Sequence, residues 1–241
     1  MFAPANTYTY EMMRQLDEAI LDARIDERVH AILVRGQGDK FFCAGANIRM
    51  LEQVSPGYKY CFCLHANETL NRLEQTPKPV VAALNGHTVG GGMEIALACD
   101  LRFMARGKGR LGLVEVKIGA IPGMGGTQRL PRRIGKTRAL RMMLTGETVD
   151  AEEALRLGLV DQVHEPEDLM PKTIEYARTL AQGATLAMGL IKQCVQEGLE
   201  VGLAAGLALE RANLGVAFRS EDFKEGSRAF TEKRSPAFTG R

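Results

Sequence analysis

Hydrophobic positions recur at helical spacing near the start of the chain. Between Thr9 and Ala23, Met12, Met13, Leu16, Ala19 and Ile20 fall on one side and Glu11, Arg14, Asp17, Glu18 and Asp22 on the other, which predicts an amphipathic helix. The apolar run Ala31 to Val34 predicts a short buried strand, ending in the glycine-punctuated loop Gly36-Gln37-Gly38-Asp39. A second helix, about residues 58 to 75, is predicted to stop at Thr76-Pro77-Lys78-Pro79, because proline lacks a backbone N–H and disfavours helix in the residue before it. Val80 to Leu84 reads as the next buried strand, and Asn85 to Gly92 as a tight turn opening a helix that runs to about Cys99. Strand-like Leu101 to Met104 and Leu111 to Val116 follow, and Gly119 to Gly126 reads as a loop. From Thr127 onward the pattern is mostly helical, with one strand candidate at Leu159 to Val163. Strands alternating with helices, then helices alone, predict an α/β core with an appended helical C-terminal portion.

Composition narrows the class. With 241 residues, 45% hydrophobic and 25% charged, the chain can bury a sizeable core without disulfide or metal staples. The formal charge of +2 offers no basic stripe that would make nucleic acid the default partner. No apolar run approaches the length of a membrane span, and the opening residues MFAPANTYTYEMM lack the features of a leader. A soluble, cytoplasmic, untargeted chain is therefore expected. The five cysteines have no framework spacing, which fits a reducing compartment. Cys61-x-Cys63-x-His65 invites a metal reading, but Tyr60, Cys63 and Leu64 share helical spacing with an apolar face near Leu70 and Leu73, so no metal site is predicted.

Glycine is the outlier. Average usage gives about 17 in a chain of this length, and there are 26. The run Gly90-Gly91-Gly92 opens a helix, where side-chain-free N–H groups can approach a ligand oxygen and form an anion or oxyanion site. Close helix–strand packing is the plainer explanation of the same run. Glu94 follows within a segment whose next residues, Ile95 to Cys99, are apolar all round, so it is either a buried acid with a task or a first-turn glutamate reaching solvent. Phe41 to Ile48 reads by itself only as a turn. Glu115 reads by itself as a surface strand residue.

Taken together, CAGANI (43–48), NGHTVGGGMEIALACDLR (85–102), GLVEVKIGAIPGMGGTQRLPR (112–132), TGETVDAEEALRLGLVDQV (145–163) and EDFKEGSRAFTEKRSPAFTG (221–240) resemble the enoyl-CoA hydratase/isomerase (crotonase) superfamily across nearly the whole chain. The resemblance implies an α/β fold built as a spiral of ββα repeats over residues 1–185. A C-terminal helical subdomain, 186–241, would mediate homotrimers or dimers of trimers. It further implies an acyl-CoA thioester substrate, with coenzyme A part of that substrate and no separate cofactor. The N–H groups of Ala46 and Gly91 would form the oxyanion hole, and Ala44, Ala46, Asn47, Ile48 and Gly91 would bind substrate. Glu94 and Glu115 would be the catalytic pair, Glu94 holding and activating water and Glu115 delivering a proton to C2. Isomerases of the family typically keep only one of these acids, so the pair favours an enoyl-CoA hydratase. A methylglutaconyl-CoA hydratase and a crotonase-type isomerase or decarboxylase are the alternatives within the family.

Outside it, the basic stretch Arg129 to Arg141 offers an RNA-binding alternative, against the plainer reading of a solvated helix face or a contact for the coenzyme phosphates. His87 is expected to pack or stabilise a turn. Two departures from the family pattern stand out. Asn47 occupies a place where aspartate is common, and Pro4-Ala5-Asn6 resembles the end of an opening hairpin, so about twenty residues of that hairpin are expected to be missing.

Overall fold

The computed structural model describes residues 4–241. In chain order the elements are α1 (Tyr10–Ile25), β1 (Ile32–Arg35), β2 (Phe41–Cys43), α2 (Ile48–Gln53), α3 (Pro56–Gln75), β3 (Val80–Leu84), β4 (His87–Val89), α4 (Gly91–Leu97), β5 (Leu101–Ala105) and β6 (Leu111–Gly112). A 3-10 turn (Glu115–Ile118) leads to α5 (Gly126–Ile134), α6 (Lys136–Thr145), α7 (Ala151–Arg156), β7 (Gln162–His164), α8 (Pro166–Ala181), α9 (Thr185–Gly198), α10 (Leu203–Ala217) and α11 (Glu221–Glu232).

The strands form two sheets, ordered β1-β3-β5-β7 and β2-β4-β6. The pairs β3–β5, β5–β7, β2–β4 and β4–β6 are parallel. Each turn of the chain thus lays one strand in the four-stranded sheet and the next in the three-stranded sheet, then closes with a helix. This is the expected succession of ββα repeats. β3 reads Val-Val-Ala-Ala-Leu and is buried throughout, as a parallel strand covered on both faces must be.

Local pattern misjudged the three-stranded sheet. Phe41 to Cys43 and His87 to Val89, read as turns, are β2 and β4, which pair Phe41 with His87 and Cys43 with Thr88. Strands this short carry too little alternation to be seen, and their pairing partners create them. The strand expected over Leu111 to Val116 shrinks to β6, because the chain turns at Glu115 into the 3-10 segment, closed by left-handed Gly119. β7 begins at Gln162, later than expected, since the Leu159 carbonyl accepts from the Arg102 guanidinium instead of joining a ladder.

The chain forms two compact units: Met1–Leu21, Leu33–Glu74 and Val80–Ile174 in one, and Asp22–Ile32, Gln75–Pro79 and Glu175–Arg241 in the other. The second therefore begins earlier than the expected residue 186 and recruits two upstream segments. Within it, Lys78 Nζ donates to the Ala23 and Asp26 carbonyls, Lys192 Nζ donates to the Lys78 carbonyl, and Arg241 pairs with Glu27. Among the described residues no helix is long and apolar enough to cross a membrane.

Candidate active site

Three second-sheet strands, β2, β4 and β6, deliver the residues that sequence singled out. After β2, Tyr8 forms a parallel bridge to Ala46: the Tyr8 N–H donates to the Gly45 carbonyl at 3.0 Å and the Asn47 N–H donates to the Tyr8 carbonyl at 2.9 Å. In such a bridge the middle residue's own N–H points away from the partner, so the Ala46 N–H takes no part in the bridge. After β4, Gly91 is the first residue of α4, and its N–H lies beyond the reach of any intrahelical acceptor. Neither amide has a backbone acceptor among the described residues.

Two glycines make the close approach of the two segments possible. Gly45 sits at φ +88°, and a Cβ there would come 3.2 Å from the Gly91 nitrogen. A Cβ on Gly91 would collide with the Tyr8 phenol ring and hydroxyl. The result is two backbone donors, of Ala46 and Gly91, left without a backbone acceptor beside glycines that keep the space open, as an oxyanion site needs.

Glu94, on α4, is 1% exposed. The Met124 and Gly126 N–H groups donate to its Oε1 at 2.8 and 2.7 Å. Burial pushes its pKa above the ordinary value, while these amides, that of Gly123 and the Arg129 charge pull it back. Glu115 is the opposite case. It is half-buried on the 3-10 turn, its Oε1 lies against Gly90, and its Oε2 is sealed from water with no partner among the described residues. Burial, reinforced by the Glu94 charge, pushes its pKa up to about 7. The surface-strand expectation for Glu115 taken alone is thereby corrected: the turn swings it inward. Two carboxyls in unlike surroundings, one held by two amide donors and one left without a partner and poised near neutrality, can serve as base and acid.

A family model, enoyl-CoA hydratase/isomerase, matches residues 2–241. The chain belongs to the enoyl-CoA hydratase/isomerase family. It is 38% identical over 229 residues to the short-chain-enoyl-CoA hydratase of Clostridium acetobutylicum, covering 95% of this chain and 87% of that protein. It is 34% identical over 239 residues to the mitochondrial methylglutaconyl-CoA hydratase of Homo sapiens, covering 98% and 70%. The crystal structure of an enoyl-CoA hydratase from Geobacillus kaustophilus HTA426 matches with a TM-score of 0.97 at 45% identity, covering 99% of this chain and 90% of that one.

The remaining positions singled out for this hydratase/isomerase family member lie in the loop before α2. The Ala44 N–H donates to the Ala5 carbonyl at 3.1 Å. Asn47 caps α2, its Oδ1 accepting from the Met50 N–H at 3.2 Å, which gives the aspartate-to-asparagine departure a local structural task. Ile48 is exposed at the first turn of α2. His87 packs as expected, its ring tilted against that of Phe41 with centroids 5.4 Å apart and its Nδ1 accepting from the Arg110 N–H.

Three residues escaped the sequence reading. Arg129, placed there in a solvated basic face, turns inward: its side chain is 11% exposed, Nε and Nη2 reach Glu74 Oε2 at 3.0 and 2.7 Å, and Nη1 reaches the Met124 carbonyl at 2.8 Å. It braces the loop that holds Glu94. Cys63 of α3 packs against Gly123, its thiol pKa raised by burial and by Glu94. Tyr8 lies beside Gly91. None of the three carries a local signal, since a basic run, an apolar helix face and a mixed polar segment all have ordinary explanations.

Proposed function

We propose that this chain is an enoyl-CoA hydratase, adding water reversibly and syn across the 2,3 double bond of a 2-enoyl-CoA to give the 3-hydroxyacyl-CoA. One observation carries the reading: two carboxyls with separated environments, Glu94 and Glu115, stand beside the paired free amides of Ala46 and Gly91. In the proposed reaction a water O–H bond breaks and its proton passes to Glu94. The oxygen bonds to C3, the π electrons move onto the thioester oxygen, and C2 takes a proton from Glu115. A proton then returns from Glu94 to Glu115 to restore the resting pair. The enolate oxygen accepts from the Ala46 and Gly91 N–H groups, each donor of this kind contributing about 10²–10³ in rate. Ala44 to Ile48 line the path of the coenzyme.

The names of the Clostridium and human relatives, both hydratases, support this reading. The human relative also supports a branched, acidic acyl group as a second substrate class. Exposed Ile191, Leu199, Leu203, Phe218 and Phe230 on and around α9–α11 support a homotrimer or a dimer of trimers. The inward turn of Arg129 weakens the RNA-binding alternative by removing one cation from the basic stretch. The test is a rate panel over crotonyl-CoA and longer, branched and acidic 2-enoyl-CoA thioesters, following loss of the conjugated thioester absorbance. Glu94→Gln and Glu115→Gln are each expected to lose about 10²-fold or more in kcat. Turnover of a 3-enoyl-CoA with none of any 2-enoyl-CoA would overturn hydration in favour of isomerisation.

A further inference from the structure

Two glutamates and two amides do not exhaust the polar groups in this recess. Tyr8 is 5% exposed, and its hydroxyl has no hydrogen-bond partner among the described residues. The ring is fixed on three sides: the Tyr8 backbone bridges to Ala46, the ring lies 5.9 Å from that of Phe62, and its hydroxyl edge rests against Gly91. Glu94 on α4 and Glu115 on the 3-10 turn face the phenol electrostatically, as do Cys43 on β2 and Cys63 on α3. Burial, then these groups, hold the phenol well above its ordinary pKa, so at neutral pH it is a donor and not an anion. Glu115 Oε2 is sealed without a partner, so Oε1, which lies beside Gly90 and next to the Gly91 that the phenol edge touches, is the oxygen of that carboxyl able to meet a ligand. Buried polar atoms left without partners are costly and uncommon. A phenol donor and a carboxylate acceptor facing one recess are both satisfied by one small oxygen species between them.

We infer that the Tyr8 hydroxyl is a further functional group of the site, donating a hydrogen bond to the oxygen of the water that lies between Glu94 and Glu115. With one lone pair held by Tyr8, one O–H bond of that water points at the Glu94 carboxylate, the other at the carbonyl oxygen of the protonated Glu115 carboxyl, and the second lone pair is free to reach C3. Tyr8 transfers no proton and orients the nucleophile. The inference rests on the hydratase reading above and adds a specific residue to it.

Tyr8→Phe is the test, because it keeps the ring against Gly91 and Phe62 and removes only the oxygen. The expected result is a fall of about ten- to hundredfold in kcat for crotonyl-CoA, the range of one hydrogen bond to a charged or reacting group. KM and melting temperature should stay near wild type. In a second readout, ¹³C-carboxyl NMR of the substrate-free protein, the Glu115 titration midpoint moves up in Tyr8→Phe, since the water it shares loses a donor that favours the ionised form. A wild-type kcat in Tyr8→Phe overturns the inference, and so does a fall in kcat matched by a fall in melting temperature with the midpoint unmoved. If the wild-type protein hydrates no enoyl-CoA, the hydratase reading fails separately, and the Glu115 midpoint alone decides for or against Tyr8.

Discussion

Replacing Arg129 with methionine removes a guanidinium while keeping most of the side-chain volume. Its bonds to Glu74 Oε2 reach a carboxylate that is one-third exposed, so solvent screening leaves that pair about 0–1 kcal/mol. The bond from Nη2 to Asn71 Oδ1 at 2.8 Å is exposed and contributes little. The bond to the Met124 carbonyl, made by a nearly buried cation, contributes about 1.5–3 kcal/mol. The total is about 2–4 kcal/mol, which for a chain of this size lowers Tm by about 5–10 °C.

The larger effect is on chemistry. Arg129 anchors Met124 through its carbonyl, while the N–H groups of Met124 and Gly126 hold Glu94. A slackened loop displaces the carboxylate, and misplacement of about 1 Å can cost about 10² in rate. Loss of the Arg129 charge also removes one of the influences that lower the Glu94 pKa. That pKa therefore rises, and the acid limb of the pH–kcat profile moves to higher pH. Differential scanning calorimetry and crotonyl-CoA hydration across pH read these effects independently. An Arg129→Met protein with wild-type Tm and an unmoved acid limb would refute the bracing role.

In the proposed reaction Glu115, with its pKa raised to about 7, must be protonated to supply C2, so hydration should decline as pH rises through about 7; an alkaline limb absent below pH 9 would contradict that assignment. Folding stability changes with pH in the same direction. A carboxyl whose folded pKa exceeds its unfolded one favours folding at low pH and loses that contribution between the two values. Arg102→Met tests the fold below the site. Arg102 is 1% exposed and donates to the carbonyls of Leu159, Ala96, Cys99 and Asp100 and to Asp161. Removing one partner of such a network costs about 3–5 kcal/mol, readable by urea denaturation.

How much was legible depended on where each residue's environment comes from. β3 was readable because five consecutive apolar residues describe a doubly covered strand. Glu94 was readable as an anomaly, a lone acid in a helix apolar all round. β2 and β4 were not, because three residues hold no periodicity and their partners lie far along the chain, whereas of β6 the start at Leu111 was legible and its early end was not. Glu115 illustrates the same limit at the level of chemistry: nothing in Gly-Leu-Val-Glu-Val announces a 3-10 turn, and only the family resemblance raised it above a surface residue. Arg129 was masked by its basic neighbours. Tyr8 was masked by a polar segment whose burial is decided by Gly91, far along the sequence.

The ββα spiral brings Ala46, Gly91 and Glu115 to one place from three successive repeats, each within a few residues of the strand that ends its share of the smaller sheet. In the proposed reaction, binding of the thioester oxygen and delivery of the proton are therefore encoded in separate modules. A substitution after β6 can exchange the acid while the amide pair set by the first two repeats stays in register, and a change in α3 can reshape the wall beside Cys63 without touching either. On the proposed reaction, such a scaffold lets one enolate-stabilising framework be paired with different proton carriers, one repeat at a time.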